Sequence, residues 1–344
     1  MAAGTSLILV LEPGTPATRR NRIRSRLVDF GVEVRVASGG DHEYLEVTGE
    51  HYPILTLSPG SWEGVARVIS VAPDYPHAAA RPDRSKTVVT VGGGDSDPVR
   101  FGADFAVIGG PCAIEDEERG LRLAAEVQRA GAVVYRGGAF KPRTSPYAFQ
   151  GLQERGLEIL VQAREQTRLP IVTEVMDVAD IGKVAEAADL LQVGSRNMQN
   201  YSLLKQLAQL RKPVLLKRGY AATIRELLLA AEYLLSGGND QVILCERGIR
   251  SAAGEGGVIL DLGAVPELQR RTHLPVIVDP SHGSSNRERV LPLARAATAV
   301  GADGLLVEVH DDPQSALSDG QQALRVDEFA QLVTQVAAVR RAIE

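Results

Sequence analysis

The chain places a thiol, an imidazole and two carboxylates directly after short apolar segments. These residues are Cys112, His282, Glu308 and Asp319. A mixed set of sulfur, nitrogen and oxygen donors suits Mn, Fe, Co, Zn or Cu better than Mg or Ca, which prefer oxygen ligands alone. We therefore predict a transition-metal site, and Asp279 and His310 lie close enough along the chain to substitute as ligands.

A second set of residues is cationic apart from one threonine. Its members end the apolar segments or lie in the loops after them: Arg136, Lys141, Arg143, Thr144, Arg196, Lys217 and Arg247. So many positive charges would repel one another in an empty cleft, and they therefore predict a polyanionic ligand. Lys and Arg suit phosphate and carboxylate groups, and Arg adds bidentate contacts. Two carboxylates, Glu174 and Glu246, also lie at segment ends.

These residues are spaced along eight apolar segments that alternate with helical ones. The segments cover residues 105–110, 132–137, 170–175, 190–195, 213–219, 242–248, 275–281 and 304–309. Eight strands, each followed by a helix, predict an α/β fold of the (β/α)8 TIM-barrel type, with a doubly wound open sheet as the alternative. In a TIM barrel, catalytic residues lie at the C-terminal ends of the strands, and closure makes the first and eighth strands neighbours. Both residue sets are therefore expected at one mouth.

The first 80 residues follow a different pattern. Strands are predicted over 6–12, 32–38, 43–49 and 69–75, with helices over 15–30 and 61–69. This βαββαβ order is typical of a ferredoxin-like α+β fold. We predict a small ferredoxin-like domain with a regulatory role over 1–80, a linker rich in Gly and Pro over 81–100, and the barrel over 101–344. The glycines at 92–94 lack the Lys-Ser/Thr ending of a Walker motif and predict a turn.

Composition narrows the class of protein. The 344 residues suffice for a barrel of about 250 residues and a small extra domain. Hydrophobic residues make up 44% but aromatic residues only 4%, which favours an aliphatic core of parallel strands covered by helices. The formal net charge of −5 argues against a nucleic acid or a membrane as the main partner. Cys112 and Cys245 indicate no disulfide framework, and without a membrane-spanning apolar run we expect a cytoplasmic protein.

Nine motifs resemble those of one enzyme family. They are GGPCAIE (109–115), RGGAFKPRTSPYAFQGL (136–152), TEVMD (173–177), VGSRNMQN (193–200), LLKRG (215–219), ILCERGIR (243–250), VDPSH (278–282), LVEVH (306–310) and ALSDG (316–320). They cover nearly the whole predicted barrel, and KPRTSPYAFQGL and ILCERGIR are the most specific. The chain resembles the type I-beta class of 3-deoxy-7-phosphoheptulosonate (DAHP) synthases, some members of which carry an N-terminal ferredoxin-like domain.

The resemblance implies a reaction and residue roles. Phosphoenolpyruvate and erythrose 4-phosphate would give 3-deoxy-D-arabino-heptulosonate 7-phosphate and phosphate, the first step of the shikimate pathway to aromatic amino acids. A divalent metal (Mn, Fe, Co or Zn) would be held by Cys112, His282, Glu308 and Asp319. Phosphoenolpyruvate would be held by Arg136, Lys141, Arg196, Lys217 and Arg247, with Glu174 beside it. Arg143 and Thr144 would meet the sugar phosphate, and Lys141, His282 and Cys112 form the predicted catalytic set, with Lys141 as proton donor.

Two loops depart from the family pattern. SAAGEGG (251–257) stands where the family has a TRNTLD-like stretch, and GSSN (283–286) stands where it often has a Gly-Arg-Arg or Gly-Lys-Arg turn. Both are predicted on the aldehyde side of the mouth. They leave open a related synthase with a different aldehyde, of the octulosonate 8-phosphate type or from secondary metabolism, and a non-catalytic regulatory homologue. The resemblance further implies a tetramer or dimer, with an aromatic amino acid effector or a chorismate mutase as partner.

Overall fold

The chain forms two compact units, Met1–Pro76 and His77–Glu344. The structure is a computed structural model that describes residues 5–39, 42–49, 51–71, 73–81, 84–252 and 257–344. Within these ranges no helix is both long enough and apolar enough to cross a membrane. The boundary between the units lies close to the predicted domain end at residue 80.

The first unit is built on a four-stranded antiparallel sheet. Its elements are β1 (Thr5–Leu11), α1 (Ala17–Val28), β2 (Glu33–Gly39), β3 (His42–Thr48), α2 (Tyr52–Leu55) and β4 (Val65–Ser70). The strands lie in the order β2-β3-β1-β4, which is consistent with the predicted ferredoxin-like fold. Leu7, Leu9 and Leu11 alternate along β1, and together with Leu27 of α1 they form the core of the unit.

The second half of this unit differs from the sequence prediction. The predicted helix over 61–69 and the predicted strand over 69–75 are wrong, because residues 65–70 form β4 and the helical turn lies earlier, over 52–55. β4 pairs with β1, where Val68 lies opposite Leu9 and Ile69 opposite Ile8. The branched side chains of this segment fit the pleated surface, and pairing with a formed strand overrides the weak helical pattern.

The second unit is a closed parallel barrel. Its strands are β7 (Ala106–Gly110), β8 (Val134–Arg136), β9 (Ile171–Glu174), β10 (Leu190–Val193), β11 (Val214–Lys217), β12 (Val242–Glu246), β15 (Val276–Val278) and β16 (Gly304–Glu308). Each strand pairs with the next, and β16 pairs with β7 to close the ring. The predicted TIM barrel is confirmed, and the open-sheet alternative is wrong.

Helices surround the barrel, at least one after each strand. They are α3 (Glu117–Arg129), α4 (Glu154–Thr167), α5 (Ile181–Ala187), α6 (Tyr201–Ala208), α7 (Ile224–Ser236), α8 (Ala264–Arg271), α9 (Pro280–Ser284), α10 (Arg287–Ala299) and α11 (Val326–Ile343). The short pair β13 (Ile249–Arg250) and β14 (Val258–Ile259) lies between β12 and α8. Because all the barrel strands are parallel, their C-terminal ends meet at one mouth.

A β-hairpin closes the opposite end of the barrel. Strands β5 (Val89–Gly93) and β6 (Ser96–Phe101) form it within the segment for which a linker is predicted. Val89, Val91 and Phe101 are buried in one core with the inward side chains of the barrel strands. The glycines at 92–94 all have positive φ; Gly92 and Gly93 end β5, and Gly94 and Asp95 form the hairpin turn, so a turn is present where it was predicted. The hairpin therefore belongs to the packing of the second unit.

Candidate active site

The four predicted metal-binding residues converge at the barrel mouth. Their ligand atoms all lie within 4.8 Å of one another: Cys112, His282, Glu308 and Asp319. Cys112 follows β7, and Glu308 ends β16, so the closing strand pair brings these two together. His282 lies in α9, directly after β15, and Asp319 lies in the loop that follows β16.

The geometry of this cluster fits a divalent cation. Glu308 is fully buried, and among the described residues its Oε1 atom has no hydrogen-bond partner. Nε2 of His282 lies 3.3 Å from that oxygen. The other carboxylate oxygen of Glu308 accepts a hydrogen bond of 2.7 Å from Gln322. A buried carboxylate oxygen without a donor beside thiol, imidazole and a second carboxylate is what a bound transition metal would satisfy.

The protonation states of the cluster are set by burial and by neighbouring charges. Burial, followed by the negative charge of Glu308, raises the pKa of the Cys112 thiol. The thiol therefore keeps its proton and donates a hydrogen bond of 2.9 Å to Asp319. Burial also acts to raise the pKa of Asp319, but the hydrogen bond from Cys112 and the charge of His282 lower it to about 2. Metal binding would release the thiol proton.

Asp279 holds the metal-facing histidine in place. Its Oδ2 atom lies 2.7 Å from Nδ1 of His282 and also accepts a hydrogen bond from Lys217. This contact directs Nε2 of His282 towards the cluster. Although burial acts to raise the pKa of Asp279, the charges of His282 and Lys217 lower it well below its usual range. Neither Asp279 nor His310 is among the converging ligand atoms; Asp279 contacts His282 and Lys217, and His310 contacts Glu115.

Four of the predicted phosphoenolpyruvate-binding cations are almost fully buried beside this cluster. Arg136, Lys141, Lys217 and Arg247 are each 3–7% exposed. In the described part of the chain, the Nη1 atoms of Arg136 and Arg247 have no hydrogen-bond partner. Arg136 nevertheless lies close to a negative charge, since its Nη1 is 3.2 Å from Oε1 of Glu308. Buried donors without acceptors indicate a place for an anionic ligand.

Lys141 lies between the anion-binding residues and the metal cluster. Its Nζ atom donates hydrogen bonds of 3.0 Å to the carbonyl of Cys112 and 2.9 Å to its Sγ atom. Burial acts to lower the pKa of Lys141, but the neighbouring Cys112 and the carboxylates of Glu174 and Glu308 raise it overall. The side chain of Lys141 is therefore charged at neutral pH. Gly138 leaves room for it, because a Cβ there would lie 2.7 Å from Cδ of Lys141.

One cavity of about 450 Å³ joins both residue sets. Predicted site residues that line it are Lys141, Arg143, Thr144, Arg196, Arg247, His282 and Asp319. Arg143 and Thr144 reach it from the loop after β8, and Arg143 donates a hydrogen bond of 2.5 Å to Ser318. Arg196 is exposed at the rim. The predicted residues at several strand ends thus share one space.

Glu174 ends β9 and is 9% exposed. Its Oε2 atom accepts a hydrogen bond of 3.4 Å from Gln192 on the adjacent strand. Gly194 makes room for the carboxylate, since a Cβ at that position would lie 1.9 Å from Oε1 of Glu174. The side chain is thus fixed on the same side of the barrel as the cationic residues, whose charges it partly balances.

Three residues of the mouth are absent from the sequence prediction. Tyr220 lies under three guanidinium groups, at 4.5 Å from Arg247, 5.4 Å from Arg250 and 5.8 Å from Arg196. The sequence could have indicated Tyr220, because it follows β11 closely and side chains after the C-terminal end of a barrel strand lie at the mouth. The other two, Gln322 and Ser318, lie in a loop whose path the sequence pattern does not reveal, and they hydrogen-bond to Glu308 and Asp319.

Described residues of both loops that depart from the family pattern lie near the mouth: Ser251, Ala252 and Gly257 of the first, and Ser285 of the second. Residues 253–256 of SAAGEGG lie outside the described residues, and β13 and β14 pair at the base of that loop. In GSSN, Asn286 begins α10, where its side chain accepts a hydrogen bond of 2.9 Å from the backbone of Glu288. Asn286 is thus explained as a helix cap, which is a structural role.

Comparison with known proteins places the chain among relatives of known activity. Residues 70–344 match the family described as the DAHP synthetase I family. The chain is 39% identical over 338 residues to the phospho-2-dehydro-3-deoxyheptonate aldolase of Thermotoga maritima, covering 98% of both chains. The crystal structure of this DAHP synthase from T. maritima matches with a TM-score of 0.85 at 38% identity, again over 98% of each chain. A 2-dehydro-3-deoxyphosphooctonate aldolase of Desulfotalea psychrophila is 32% identical over 287 residues, which are 78% of this chain and 98% of that protein.

Proposed function

Because the chain belongs to the DAHP synthetase I family, we propose that its barrel mouth condenses phosphoenolpyruvate with erythrose 4-phosphate. The products are 3-deoxy-D-arabino-heptulosonate 7-phosphate and inorganic phosphate, and the enzyme is a transferase that forms a carbon–carbon bond. The observation that carries this proposal is the shared cavity, in which His282 and Asp319 of the metal cluster meet the buried Lys141 and Arg247.

Phosphoenolpyruvate is the ligand of the buried cations. Its carboxylate lies nearer Arg136 and Lys141, and its phosphate lies nearer Arg196 and Arg247. This is supported by the Nη1 atoms of Arg136 and Arg247, which make no hydrogen bond among the described residues and which two anionic groups would satisfy. Lys217 contributes positive charge without a free donor of its own being needed, because its Nζ atom is already paired with Asp279. Fixing the anion in this way orients its C3 atom before the reaction begins.

The aldehyde lies on the other side of the cavity, with its phosphate at Arg143 and Thr144. A divalent cation held by Cys112, His282, Glu308 and Asp319 supplies Lewis acidity towards the aldehyde carbonyl. C3 of phosphoenolpyruvate forms a bond to the aldehyde carbon. Lys141 donates its proton to the oxygen of the former aldehyde, since its Nζ atom borders the metal cluster at 2.9 Å from Sγ of Cys112.

The second half of the reaction takes place at C2 of phosphoenolpyruvate. Positive character develops there, water adds, and the bond between C2 and the phosphate oxygen breaks. Inorganic phosphate leaves, and C2 becomes the ketone of the product. Glu174 positions the water beside the bound anion. The surrounding arginines stabilise the departing phosphate, which gains negative charge as it leaves.

The donor set supports Mn, Fe, Co or Zn as the metal, because a thiolate and an imidazole are poor ligands for Mg or Ca. The same thiol must stay reduced in order to bind the metal. Both cysteines are free in the described structure. We therefore place the enzyme in the cytoplasm, where thiols are kept reduced.

The test is a substrate screen with phosphoenolpyruvate and a panel of aldehydes. We expect erythrose 4-phosphate to release phosphate and form a 3-deoxy-ulosonate with a higher kcat/KM than arabinose 5-phosphate. A chelator should abolish turnover, and added Mn should restore it. Phosphate release and product formation are measured together in each assay.

Two results of this screen would favour the alternatives. A higher kcat/KM with arabinose 5-phosphate would favour an enzyme of the octulosonate type, to which the altered loops 251–257 and 283–286 would then be assigned. No turnover with any metal or aldehyde would favour a non-catalytic regulatory homologue. The aligned length argues against an enzyme of the octulosonate type. The alignment with the Thermotoga heptonate aldolase covers 98% of this chain, whereas the alignment with the octulosonate relative covers only 78%.

Regulation is proposed for the first unit, Met1–Pro76. It folds on its own sheet and holds none of the predicted site residues. We propose that an aromatic amino acid, Phe or Tyr, binds this unit in a homo-oligomer, a tetramer or dimer, and that a chorismate mutase is a candidate partner. These proposals rest on the family resemblance and on the separate fold of the unit.

Truncation immediately after Pro76 tests this regulatory role. This cut keeps the hairpin β5–β6, whose side chains belong to the barrel core. We expect the truncated enzyme to keep its turnover and to lose inhibition by Phe or Tyr, because the effector site is removed with the first unit. Initial rates are measured at increasing effector concentration, and unchanged sensitivity would contradict the proposal.

A further inference from the structure

Glu115 is a buried carboxylate with no part in the proposed reaction. It lies three residues after Cys112, just before α3, and its side chain is 3% exposed. A buried charge is costly unless several groups hold it. The partners of Glu115 therefore indicate why a carboxylate stands at this position.

The first partner belongs to the segment that carries Asp319. The backbone N–H of Leu317 donates a hydrogen bond of 2.8 Å to Oε1 of Glu115. Leu317 lies two residues before Asp319, and its side chain is 51% exposed, so it contributes little packing of its own. The carboxylate of Glu115 thus fixes the backbone at Leu317, two residues before the candidate ligand Asp319.

The second partner belongs to the segment that carries Glu308. His310 lies two residues after Glu308, and its Nε2 atom is 3.3 Å from Oε2 of Glu115. Nδ1 of the same ring accepts a hydrogen bond of 3.1 Å from the backbone of Asp312. With Nδ1 as an acceptor, Nε2 carries the N–H of the ring and donates a hydrogen bond to Glu115.

The third partner is Arg119 of α3. Its Nη1 atom donates a hydrogen bond of 2.9 Å to Oε2 of Glu115, and its Nε atom lies 3.0 Å from Asp311. Burial acts to raise the pKa of Glu115, but the hydrogen bonds from His310 and Leu317 lower it overall. The carboxylate is therefore ionised at neutral pH and can accept from all three donors.

One carboxylate thus joins three segments, each of which carries a metal ligand within three residues. Glu115 itself follows Cys112, His310 follows Glu308, and Leu317 precedes Asp319. We propose that Glu115 is a positioning residue that sets the distances among these three ligands and so determines the affinity of the metal site. This inference rests on the metal centre of the proposed function. The fourth ligand, His282, is held separately by Asp279.

The Glu115→Gln variant tests the proposal with nearly unchanged side-chain volume. Both oxygens of Glu115 accept hydrogen bonds, whereas the amide nitrogen of Gln can only donate. That nitrogen must therefore face either the N–H of Leu317 or the donors of Arg119 and His310, and the hydrogen bonds on that side are lost. We expect the dissociation constant for Co2+ to rise by about 10–100-fold, the range found when partners of metal ligands are replaced. Binding is followed by the absorption of the bond between Cys112 sulfur and Co2+, in competition with a chelator.

A matched control lies on the next turn of the chain. Glu118 is an acidic residue of α3 that is 89% exposed and pairs only with Arg122 among the described contacts. The Glu118→Gln variant removes the same charge, and Glu118 itself contacts no ligand-bearing segment. Its partner Arg122 keeps a separate pair with Asp311, so the Co2+ affinity of the variant should equal that of the wild type. The unfolding midpoint of each metal-free variant is measured alongside, because a merely structural residue would lower that midpoint and leave the Co2+ affinity unchanged.

Two substitutions of His310 give an independent test. The amide of Gln reaches about as far as Nε2 of the ring, whereas the amide of Asn reaches only as far as Nδ1. His310→Gln can therefore still donate to Glu115 and should bind Co2+ almost as tightly as the wild type, while His310→Asn should bind it more weakly. Wild-type affinity in both Glu115→Gln and His310→Asn would overturn the proposal. If the wild type itself bound no Co2+, the metal centre of the proposed function would fail instead, so the two failures are distinguishable.

Discussion

Replacing Cys112 with alanine is expected to lower kcat/KM by about 10³-fold, because Lewis-acid stabilisation by a metal is worth several kcal/mol and each 1.4 kcal/mol is tenfold in rate. The variant loses the only sulfur ligand of the cluster, and it also loses the acceptor of one hydrogen bond from Lys141. Phosphate release at saturating Mn and the metal content of the purified protein are measured together. Both should fall.

The second cysteine provides the control. Cys245 is fully buried in the barrel core, and it is not among the converging ligand atoms of the metal cluster. The Cys245→Ala variant should lose some stability through the small cavity it creates, yet it should keep its metal and its turnover. If Cys112→Ala kept wild-type metal content and rate, Cys112 would not be a ligand.

Replacing Lys141 with methionine is expected to lower kcat by about 10²–10⁴-fold, the usual contribution of a positioned general acid. Methionine keeps the length and apolar stem of the side chain but carries no proton. Because Lys141 is not one of the four ligands, the metal content should stay close to that of the wild type. Single-turnover product formation and metal content are measured on the same sample.

A lysine away from the mouth controls for the loss of a positive charge. Lys183 is half exposed and pairs with Glu154 on the outer surface, so Lys183→Met should leave the rate unchanged. A Lys141→Met enzyme that retained its turnover would exclude Lys141 as the proton donor. A rate loss accompanied by loss of metal would instead assign Lys141 to holding Cys112.

The barrel and its mouth could be predicted because both follow from repeated local signals. Eight apolar segments separated by helices indicate closure, and closure makes β7 and β16 neighbours, so the amino-acid sequence alone was enough to place Cys112 and Glu308 together. In the first unit, the segment 65–70 gave no such repeated signal. Its strand depends on pairing with β1, which is a long-range contact.

Which of the nearby carboxylates and imidazoles converge as candidate metal ligands could not be predicted in the same way. Asp279 lies one residue after β15 and His310 two residues after β16, so both satisfy the strand-end rule. Their side chains nevertheless point to other partners. Asp279 caps α9 and contacts His282, whereas His310 turns towards Glu115. Side-chain direction depends on the loop backbone, which residue type and spacing do not determine.

The closing pair of strands also has a consequence for how the protein matures. Glu308 lies opposite Gly110 across the seam between β16 and β7, and Asp319 follows that seam in the chain. Contacts between such distant parts of a chain form late in folding, because the entropy of closing a long loop must be overcome first. On the ribosome, an emerging chain therefore cannot assemble the complete cluster of four candidate ligands until Asp319 has been synthesised and β16 has paired with β7. A chain cut short before residue 319 would lack one of the four candidate ligands, so tight metal binding would require the ring to be complete.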